Sequence, residues 1–203
     1  MTQANNVSYG KPRIGGAIFS APTWAKLPTD AILPLGENYK DLGYISEDGL
    51  TNSNSPESET IKAWGGDTVL VSQTDKPDTF TFTLIESTNI DVLKEVYGSY
   101  NVSGDIDTGV TIKANSLPYQ SHRLVIETML NNAVKRIVIP NAVISEVGDI
   151  EYTDDGALGY ETTIQALPDE QGNTHYEYLK RLKVDDEESD SSETASESPS
   201  EGA

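Results

Sequence analysis

The chain lacks cysteine altogether and has few histidines, tryptophans and basic residues. Its 203 residues contain no Cys, two His, two Trp and 14 Lys or Arg, against 33 Asp or Glu. Without cysteine, disulfides, thiolate metal sites and a cysteine nucleophile are excluded. The two histidines, His122 and His175, do not stand in a metal-ligand spacing. Few residues of the types that form catalytic or metal centres therefore remain.

Long apolar runs are also absent. No stretch approaches the roughly 18 apolar residues that a membrane-spanning helix needs. The first 16 residues, MTQANNVSYGKPRIGG, have no apolar core of signal-peptide length. We therefore expect no membrane association, and a protein that is made and kept, or assembled, in the cytosol.

Positive charge is scarce, and the formal net charge is −19. Residues 185–203 hold eight acids and no base, which leaves 25 acids against 14 bases, about −11, on the rest. Such a surface repels nucleic acid, whose affinity for proteins comes largely from Lys and Arg. It argues against a reader of DNA sequence and against a phosphate-cradling enzyme. Simple solubility explains the same charge equally well for the body of the chain.

Catalytic motifs are missing as well. The sequence contains no G-x-S-x-G, no Walker loop and no dinucleotide-binding glycine pattern. The run from Asp105 to Gly109 resembles the start of a calcium loop, but Ser116 stands where that loop requires a glutamate. We predict no metal, no cofactor and no enzymatic activity.

The apolar residues that are present alternate with polar ones, which predicts a mainly β fold of seven to nine strands. The predicted strands cover residues 17–24, 39–45, 68–73, 79–86, 110–114, 122–129, 135–147 and 160–167, while 175–183 fits a last strand or a short helix. Residues 68–73 and 79–86 are predicted to pair as a hairpin about the turn at 76–78. Pro140-Asn141 requires a bulge or an edge position.

One helix is predicted, over residues 87–97. Ser87, Thr88 or Asn89 can cap its start and Gly98 ends it. A mainly antiparallel chain with one helix after the central strands predicts a β-sandwich or half-open barrel with a flanking helix.

The chain divides into an arm at residues 1–16, a β domain at 17–184 and an acidic, Ser-rich tail at 185–203, predicted to be disordered. Within the domain, residues 47–59 are almost entirely polar and predict a long loop without regular structure. Trp64, followed by two glycines, is expected to need an apolar seat, and Trp24 to pack under the sheet. The basic clusters Lys135-Arg136 and Lys180-Arg181 are expected to be solvated or paired with a neighbouring copy.

Several runs carry a family resemblance through their number and order. They are residues 42–51 (LGYISEDGLT), 61–69 (IKAWGGDTV) and 80–86 (FTFTLIE), then Val96-Tyr97-Gly98, Ile139-Pro140-Asn141-Ala142 and Gly148-Asp149-Ile150. In this order they resemble the major tail protein, or tail tube protein, family of long-tailed, non-contractile (siphovirus) bacteriophages. The version found in phages of actinobacteria is the most similar. The resemblance covers most of residues 36–167.

The resemblance implies a virion protein that is assembled in the host cytoplasm. Six copies would form a ring, and stacked rings would form the tube through which the genome is ejected without specific binding. Tape-measure, tail-terminator and tail-tip proteins are the implied partners. In that family picture a terminal arm and a long loop reach the neighbouring ring. The loop residues expected at this contact are Glu47, Asp48, Leu50, Asn52, Asn54, Glu57, Glu59 and Trp64.

Two other non-enzymatic classes fit the sequence. A capsid decoration or head–tail joining protein would also be β-rich and acidic. A carbohydrate-binding β-sandwich could use Trp24 or Trp64 as a platform for a sugar ring. An enzyme is the weakest alternative, because no nucleophile, base or metal set can be named.

Overall fold

The structure is a computed structural model that describes residues 4–13 and 16–182. The predicted tail at 185–203 and parts of the predicted arm lie outside the described residues. In chain order the elements are η1 (Ala4–Asn6, a 3-10 turn), β1 (Lys11–Pro12), β2 (Ile18–Pro22), β3 (Lys40–Asp41), β4 (Ile45–Asn54), β5 (Glu57–Lys62), β6 (Thr68–Asp75), β7 (Asp78–Leu84), α1 (Ile90–Tyr97), β8 (Val102–Asp105), β9 (Gly109–Ile112), β10 (His122–Leu130), β11 (Ala133–Val147), β12 (Tyr160–Leu167) and β13 (Tyr176–Arg181).

The chain is mainly β with one helix, and all its strand pairs are antiparallel. The main sheet has the order β3-β2-β10-β11-β12-β7-β4, with β1 paired to β10 and β13 paired to β11. β11, at 15 residues, branches the sheet because residues 141–147 pair with β12 and residues 133–138 pair with β13. The predicted fold class, a β-sandwich-like domain with a flanking helix, is confirmed.

The larger core lies on the face of the sheet that α1 covers. Phe80, Phe82 and Leu84 alternate along β7 and are almost fully buried. Val92 and Val96 of α1 belong to the same cluster of buried side chains. Period-two alternation in the strand and a spacing of four in the helix thus meet in one layer.

A smaller core occupies the other face of the sheet. Val125 and Val138 are register partners on β10 and β11, and both are buried there with Ala21 and Tyr39. Residues 23–39 cover this face, and the Tyr39 hydroxyl donates to the backbone carbonyl of Lys26 at 3.1 Å. The middle of the sheet is therefore buried on both faces.

Helix α1 begins and ends where the sequence predicted. Asn89 is the N-cap, and its side-chain oxygen accepts from the backbone N–H of Asp91 at 3.0 Å. The Asn89 amide also donates to Glu86 at 2.9 Å. Gly98 follows the last turn with a φ of 87°, a conformation that favours glycine.

Asn89→Ala should lower the free energy of unfolding by about 1 kcal/mol, because a first-turn N–H loses its side-chain acceptor. Urea denaturation of the two proteins measures this difference. Thr88→Ala, at the exposed neighbouring position, is the matched control and should change the midpoint little. An unchanged midpoint for Asn89→Ala would contradict the capping role.

The predicted irregularity at Pro140-Asn141 is confirmed. His122 pairs with Ala142, but Leu124 pairs with Ile139, so β11 carries one extra residue at this point. The bulge accommodates Pro140, which has no N–H to contribute to the ladder.

Three sequence predictions are wrong. Residues 47–59 are not an unstructured loop, because residues 47–54 belong to β4 and residues 57–59 to β5. These residues are polar because β4 is an edge strand with solvent on its outer side and because β5 belongs to a two-stranded ribbon surrounded by solvent. The β propensity of a residue depends on such surroundings. β6 does not pair with β7; it pairs with β5, and β7 pairs with β4 and β12. The described residues contain thirteen strands rather than the predicted seven to nine. Strands such as β1 and β3, with two residues each, are too short to show an alternating pattern in the sequence.

Candidate assembly site

The most exposed feature of the molecule is a hairpin made of β5, β6 and the turn between them, residues 57–75, here called the projecting hairpin. Every one of its residues is exposed. The turn is closed by Ala63 N–H donating to the Asp67 carbonyl at 2.7 Å. Gly65 and Gly66 take φ values of 114° and 99° there, which side-chain-bearing residues rarely adopt. The predicted need for glycines behind Trp64 is thus met by this turn.

The projecting hairpin carries apolar side chains on both of its faces. Ile61 and Leu70 are register partners on one face, and they are 55% and 52% exposed. Val69 and Val71 alternate with Leu70 and therefore occupy the other face. Strands that are apolar on both faces are typical of sheets buried on both sides. Nothing in the described part of the subunit covers either face of this hairpin.

Trp64, at the tip of the hairpin, is fully exposed. The expectation that it packs in an apolar seat is wrong for the isolated chain. Trp24, expected under the sheet, is 72% exposed and is likewise not a core residue. The strands near Trp24 fill their cores without it, since Ala21 and Ala25 occupy the buried positions on either side.

Two prolines separate the projecting hairpin from the main sheet. The β4–β7 ladder ends at the pair Asn54–Asp78, and the β5–β6 ladder starts at Glu57–Asp75. Between these pairs, Pro56 lies on the segment that joins β4 to β5, and Pro77 lies on the segment that joins β6 to β7. Neither proline has an N–H, so the ladder cannot run continuously through this point. The hairpin is therefore a separate two-stranded sheet joined at a junction without backbone pairing.

A buried carboxylate anchors this junction. Asp78 is 1% exposed and accepts from Asn52 at 2.9 Å, from Thr174 at 2.5 Å and from His175 at 2.5 Å. Burial alone would raise the pKa of Asp78, but the hydrogen bonds from Thr174, Asn52 and His175 outweigh it and hold the pKa below 3.8. The His175 ring also meets the Phe80 ring edge-on, at 5.4 Å between centroids.

The predicted contact residues fall into three groups. Glu47 and Asp48 are exposed in an irregular part of β4, where the register with β7 shifts between Ile45 and Leu50. Leu50 packs against the core, Asn52 bonds Asp78, and Asn54 is half-buried, so these three side chains also support the subunit itself. Glu57, Glu59 and Trp64 lie exposed on the projecting hairpin.

The main sheet has open edges. Among the described residues, β3 and β4 end the strand order and have no partner on their outer sides, and β1 and β13 each pair with one strand only. β4 is ten residues long. A long unpaired edge presents a row of backbone donors and acceptors to any strand that can reach it. The subunit therefore carries both an exposed strand edge and an exposed apolar hairpin.

The four strands at one end of this order contain no basic residue. They are β4, β7, β12 and residues 141–147 of β11, with the sequences ISEDGLTNSN, DTFTFTL, YETTIQAL and NAVISEV. Their face away from the larger core is rich in hydroxyl groups, and Thr81 and Thr163 are hydrogen-bonded across it at 3.0 Å. This face presents neutral polar and acidic groups, with Val143 and Leu167 as its apolar members, and no basic group.

A cleft of about 620 Å³ lies between α1, β2 and residues 117–122, here called the α1 cleft. Trp24, Tyr100 and Leu117 line it and are 72%, 78% and 65% exposed. Glu95 and His122 also line it, with Glu95 Oε1 2.7 Å from His122 Nε2 and side chains only 8% and 15% exposed. Ser20 donates to the other Glu95 oxygen at 2.8 Å. His122 is therefore largely buried rather than a surface residue.

The buried pair shifts both pKa values toward the charged forms. Burial would lower the pKa of His122, but the Glu95 carboxylate outweighs burial and raises it above 6.5. Burial would likewise raise the pKa of Glu95, and the His122 imidazolium instead holds it below 4.5. The two charged groups therefore stabilise each other within the folded chain.

This pair predicts a loss of stability on the alkaline side. Because the pKa of His122 is raised on folding, its contribution is complete below pH 6.5 and is lost as pH rises through the folded pKa. The urea midpoint of the native chain should therefore be lower at pH 9 than at pH 6. His122→Gln should reduce that fall, whereas an equal fall in both proteins would contradict the pairing.

The chain matches the family described as phage tail tube protein over residues 5–188, most of its length. It belongs to the phage tail tube protein family. No curated protein matches it. A tail tube protein is a structural component of the virion, which agrees with exposed edges and apolar surfaces that suit self-assembly.

In this tail tube protein, the helix described is too short and polar to cross a membrane. Among residues 4–13 and 16–182, no group of three or more His, Asp or Glu is arranged to hold a metal ion. Asp105 and Asp107, in the run that resembles the start of a calcium loop, lie at the turn between β8 and β9. There Asp105 accepts from the Asp107 N–H at 3.0 Å.

Sequence reasoning missed two features of this tail tube protein. Arg136, expected to be solvated, is 1% exposed and hydrogen-bonds Glu127 across β10 and β11. The alternation of β11 did carry a signal, because Arg136 shares a face with Val134 and Val138. The α1 cleft left no signal, since its walls come from three distant segments.

Proposed function

We propose that this chain is the repeating subunit of the tail tube of a long-tailed, non-contractile phage, similar to phages of actinobacteria. Six copies form a ring, rings stack into a tube, and the tube conducts the genome during ejection. Assembly takes place in the host cytoplasm. The tape-measure protein would lie inside the growing tube, and tail-terminator and tail-tip proteins would cap its ends.

The observation that carries this proposal is the open edge of β4 at the end of a four-strand order, β11-β12-β7-β4. Six copies of four strands would give 24 strands. At about 4.8 Å per strand the circumference is roughly 115 Å and the diameter roughly 37 Å, more with tilt. Ring closure pairs the β4 edge of each copy with a strand of its neighbour and so covers this long edge.

The composition of the same strands favours their hydroxyl-rich face as the lumen wall. Phosphate binding by proteins relies on Lys and Arg, and these four strands have neither. A wall of threonines with Glu161 and Gln165 would let a polyanion pass without holding it. DNA is therefore proposed to cross the lumen without specific binding.

Contact between successive rings is assigned to the projecting hairpin and the N-terminal arm. The hairpin offers Glu57, Glu59 and Trp64, and Glu47 and Asp48 are exposed near the far end of β4. The arm is fixed to the domain at its inner end, where Arg13 donates to Glu127 at 2.6 Å. Val7 and Tyr9 farther out are 75% and 79% exposed. Two exposed segments on one subunit suit heterologous stacking.

Negative-stain microscopy of the purified, concentrated chain tests the proposal. Open-ended tubes with stacked rings are expected. A protein that stays monomeric or trimeric at every concentration would contradict the tube and favour a capsid decoration or joining protein. Binding to a glycan panel, with quenching of tryptophan fluorescence and no assembly, would favour the carbohydrate-binding class.

A further inference from the structure

We propose that the α1 cleft is the receiving site for the tip of the projecting hairpin of a second copy, with Trp64 as the inserted side chain. This inference rests on the proposed function, and it identifies the surface that the hairpin meets. The occupant is another molecule of this same chain.

The distribution of tryptophan supports this match. The chain has two tryptophans, and both are exposed, Trp64 at the hairpin tip and Trp24 in the α1 cleft. Buried tryptophans each cover about 150–250 Å² and often dominate an interface. A monomer gains nothing from exposing both of them. A tryptophan at a protruding tip and a tryptophan that lines a cleft on the same chain form a complementary pair when copies associate head to tail.

The size and lining of the α1 cleft fit the hairpin tip. Its volume of about 620 Å³ lies within the roughly 300–1,000 Å³ typical of sites that enclose a small ligand. The tip is narrow, because Gly65 and Gly66 follow Trp64 and carry no side chains, and the space around both glycines is open. Trp24, Tyr100 and Leu117 supply the apolar and aromatic contacts that an indole ring favours.

Polar groups of the two surfaces are also complementary. The projecting hairpin is acidic, with Glu57, Glu59, Asp67 and Asp75 against Lys62. The α1 cleft is lined by Lys40, which forms no ion pair within the described residues, and by Lys94, whose nearest acid is Asp91 at 3.9 Å. Asp67 lies three residues from Trp64 and is the acid placed to meet these lysines. The indole N–H, a donor only, would find carboxylate acceptors in the cleft.

Cysteine crosslinking in assembled tubes tests the docking directly, because the native chain has no cysteine. Ala63→Cys, beside Trp64, is mixed with Ser99→Cys, which lines the cleft and is exposed. Thr153→Cys, exposed and outside the cleft lining, replaces Ser99→Cys in the matched control. Mild oxidation should give a covalent dimer for the cleft pair and at least tenfold less for the control.

The outcomes separate the docking from the tube. Tubes without a cleft crosslink, or with equal crosslinking of the control, would overturn the docking and leave the tube intact. Crosslinking of Ser99→Cys to Val7→Cys instead would assign the cleft to the N-terminal arm and also overturn it. Failure of the unmodified chain to form tubes would overturn the proposed function itself.

A second measurement uses the critical concentration for assembly. Trp64→Ala and Trp24→Ala should each raise it by roughly tenfold to thirtyfold, as expected for central aromatic contacts. The double variant should be little worse than either single variant, because both changes remove the same contact. Fully additive effects would contradict direct contact between the two tryptophans.

Discussion

Replacing residues 55–77 by Asn-Gly should abolish tube formation while leaving the subunit folded. Asn54 and Asp78 are register partners at the end of the β4–β7 ladder, so a two-residue turn can join them. Every residue of the projecting hairpin is exposed, and no core side chain is removed. The carboxylate of Asp78 keeps Asn52, Thr174 and His175. The free energy of unfolding should change little, because surface segments contribute little to it.

Size-exclusion chromatography and negative-stain microscopy measure the effect. The matched control shortens the other two-stranded ribbon: Asn-Gly in place of residues 106–108 joins Asp105 to Gly109, which are register partners. We expect tubes from this control, and folded subunits or single rings without tubes from the hairpin deletion. Long tubes from the deletion variant would remove the hairpin from assembly.

Glu127→Ala should destabilise the subunit by about 3–5 kcal/mol, the usual effect of breaking a buried ion pair. Glu127 and Arg136 are 2% and 1% exposed. Arg136 Nε donates to Glu127 Oε1 at 2.8 Å, and the guanidinium also donates to the carbonyls of Asp30 and Leu33, both at 2.9 Å. Removing the Glu127 carboxylate leaves the buried Arg136 with only the more distant Asp30 carboxylate, 3.8 Å away, as a counter-ion, and Arg13 also loses its partner.

A double variant separates the buried charge from the lost packing. Glu127→Leu with Arg136→Met replaces the pair by apolar side chains of similar length, which is often close to neutral. It should recover part of the stability lost in Glu127→Ala, although the carbonyls of Asp30 and Leu33 lose their donor. Urea denaturation of the three proteins measures this. A double variant less stable than Glu127→Ala would contradict the charge explanation.

The elements that could be predicted are those whose own residues repeat with a period. Phe80, Phe82 and Leu84 alternate so clearly that β7 and its buried face follow from the sequence. Helix α1 follows from its cap at Asn89 and its stop at Gly98. Pro140 forced a bulge because its nitrogen cannot donate, and the register shift lies there.

The elements that could not be predicted depend on partners distant in the sequence. Residues 47–59 look like a loop because the ladder from β7 and β6 that orders them is not visible in their own composition. Arg136 looks like a surface residue because its partners are Glu127 and two carbonyls about 100 residues earlier. The family resemblance indicated assembly, but only the structure located the exposed apolar side chains on both faces of the hairpin.

Hydrogen–deuterium exchange on monomers and on assembled tubes tests most directly whether identical copies cover the exposed edge and hairpin. We expect amides of residues 57–75, and those on the open side of β4, to exchange fast in the monomer and at least tenfold more slowly in the tube. The buried strands β10 and β11 should be protected in both states. Equally fast exchange of the hairpin and of β4 in monomer and tube would contradict the central role of these surfaces.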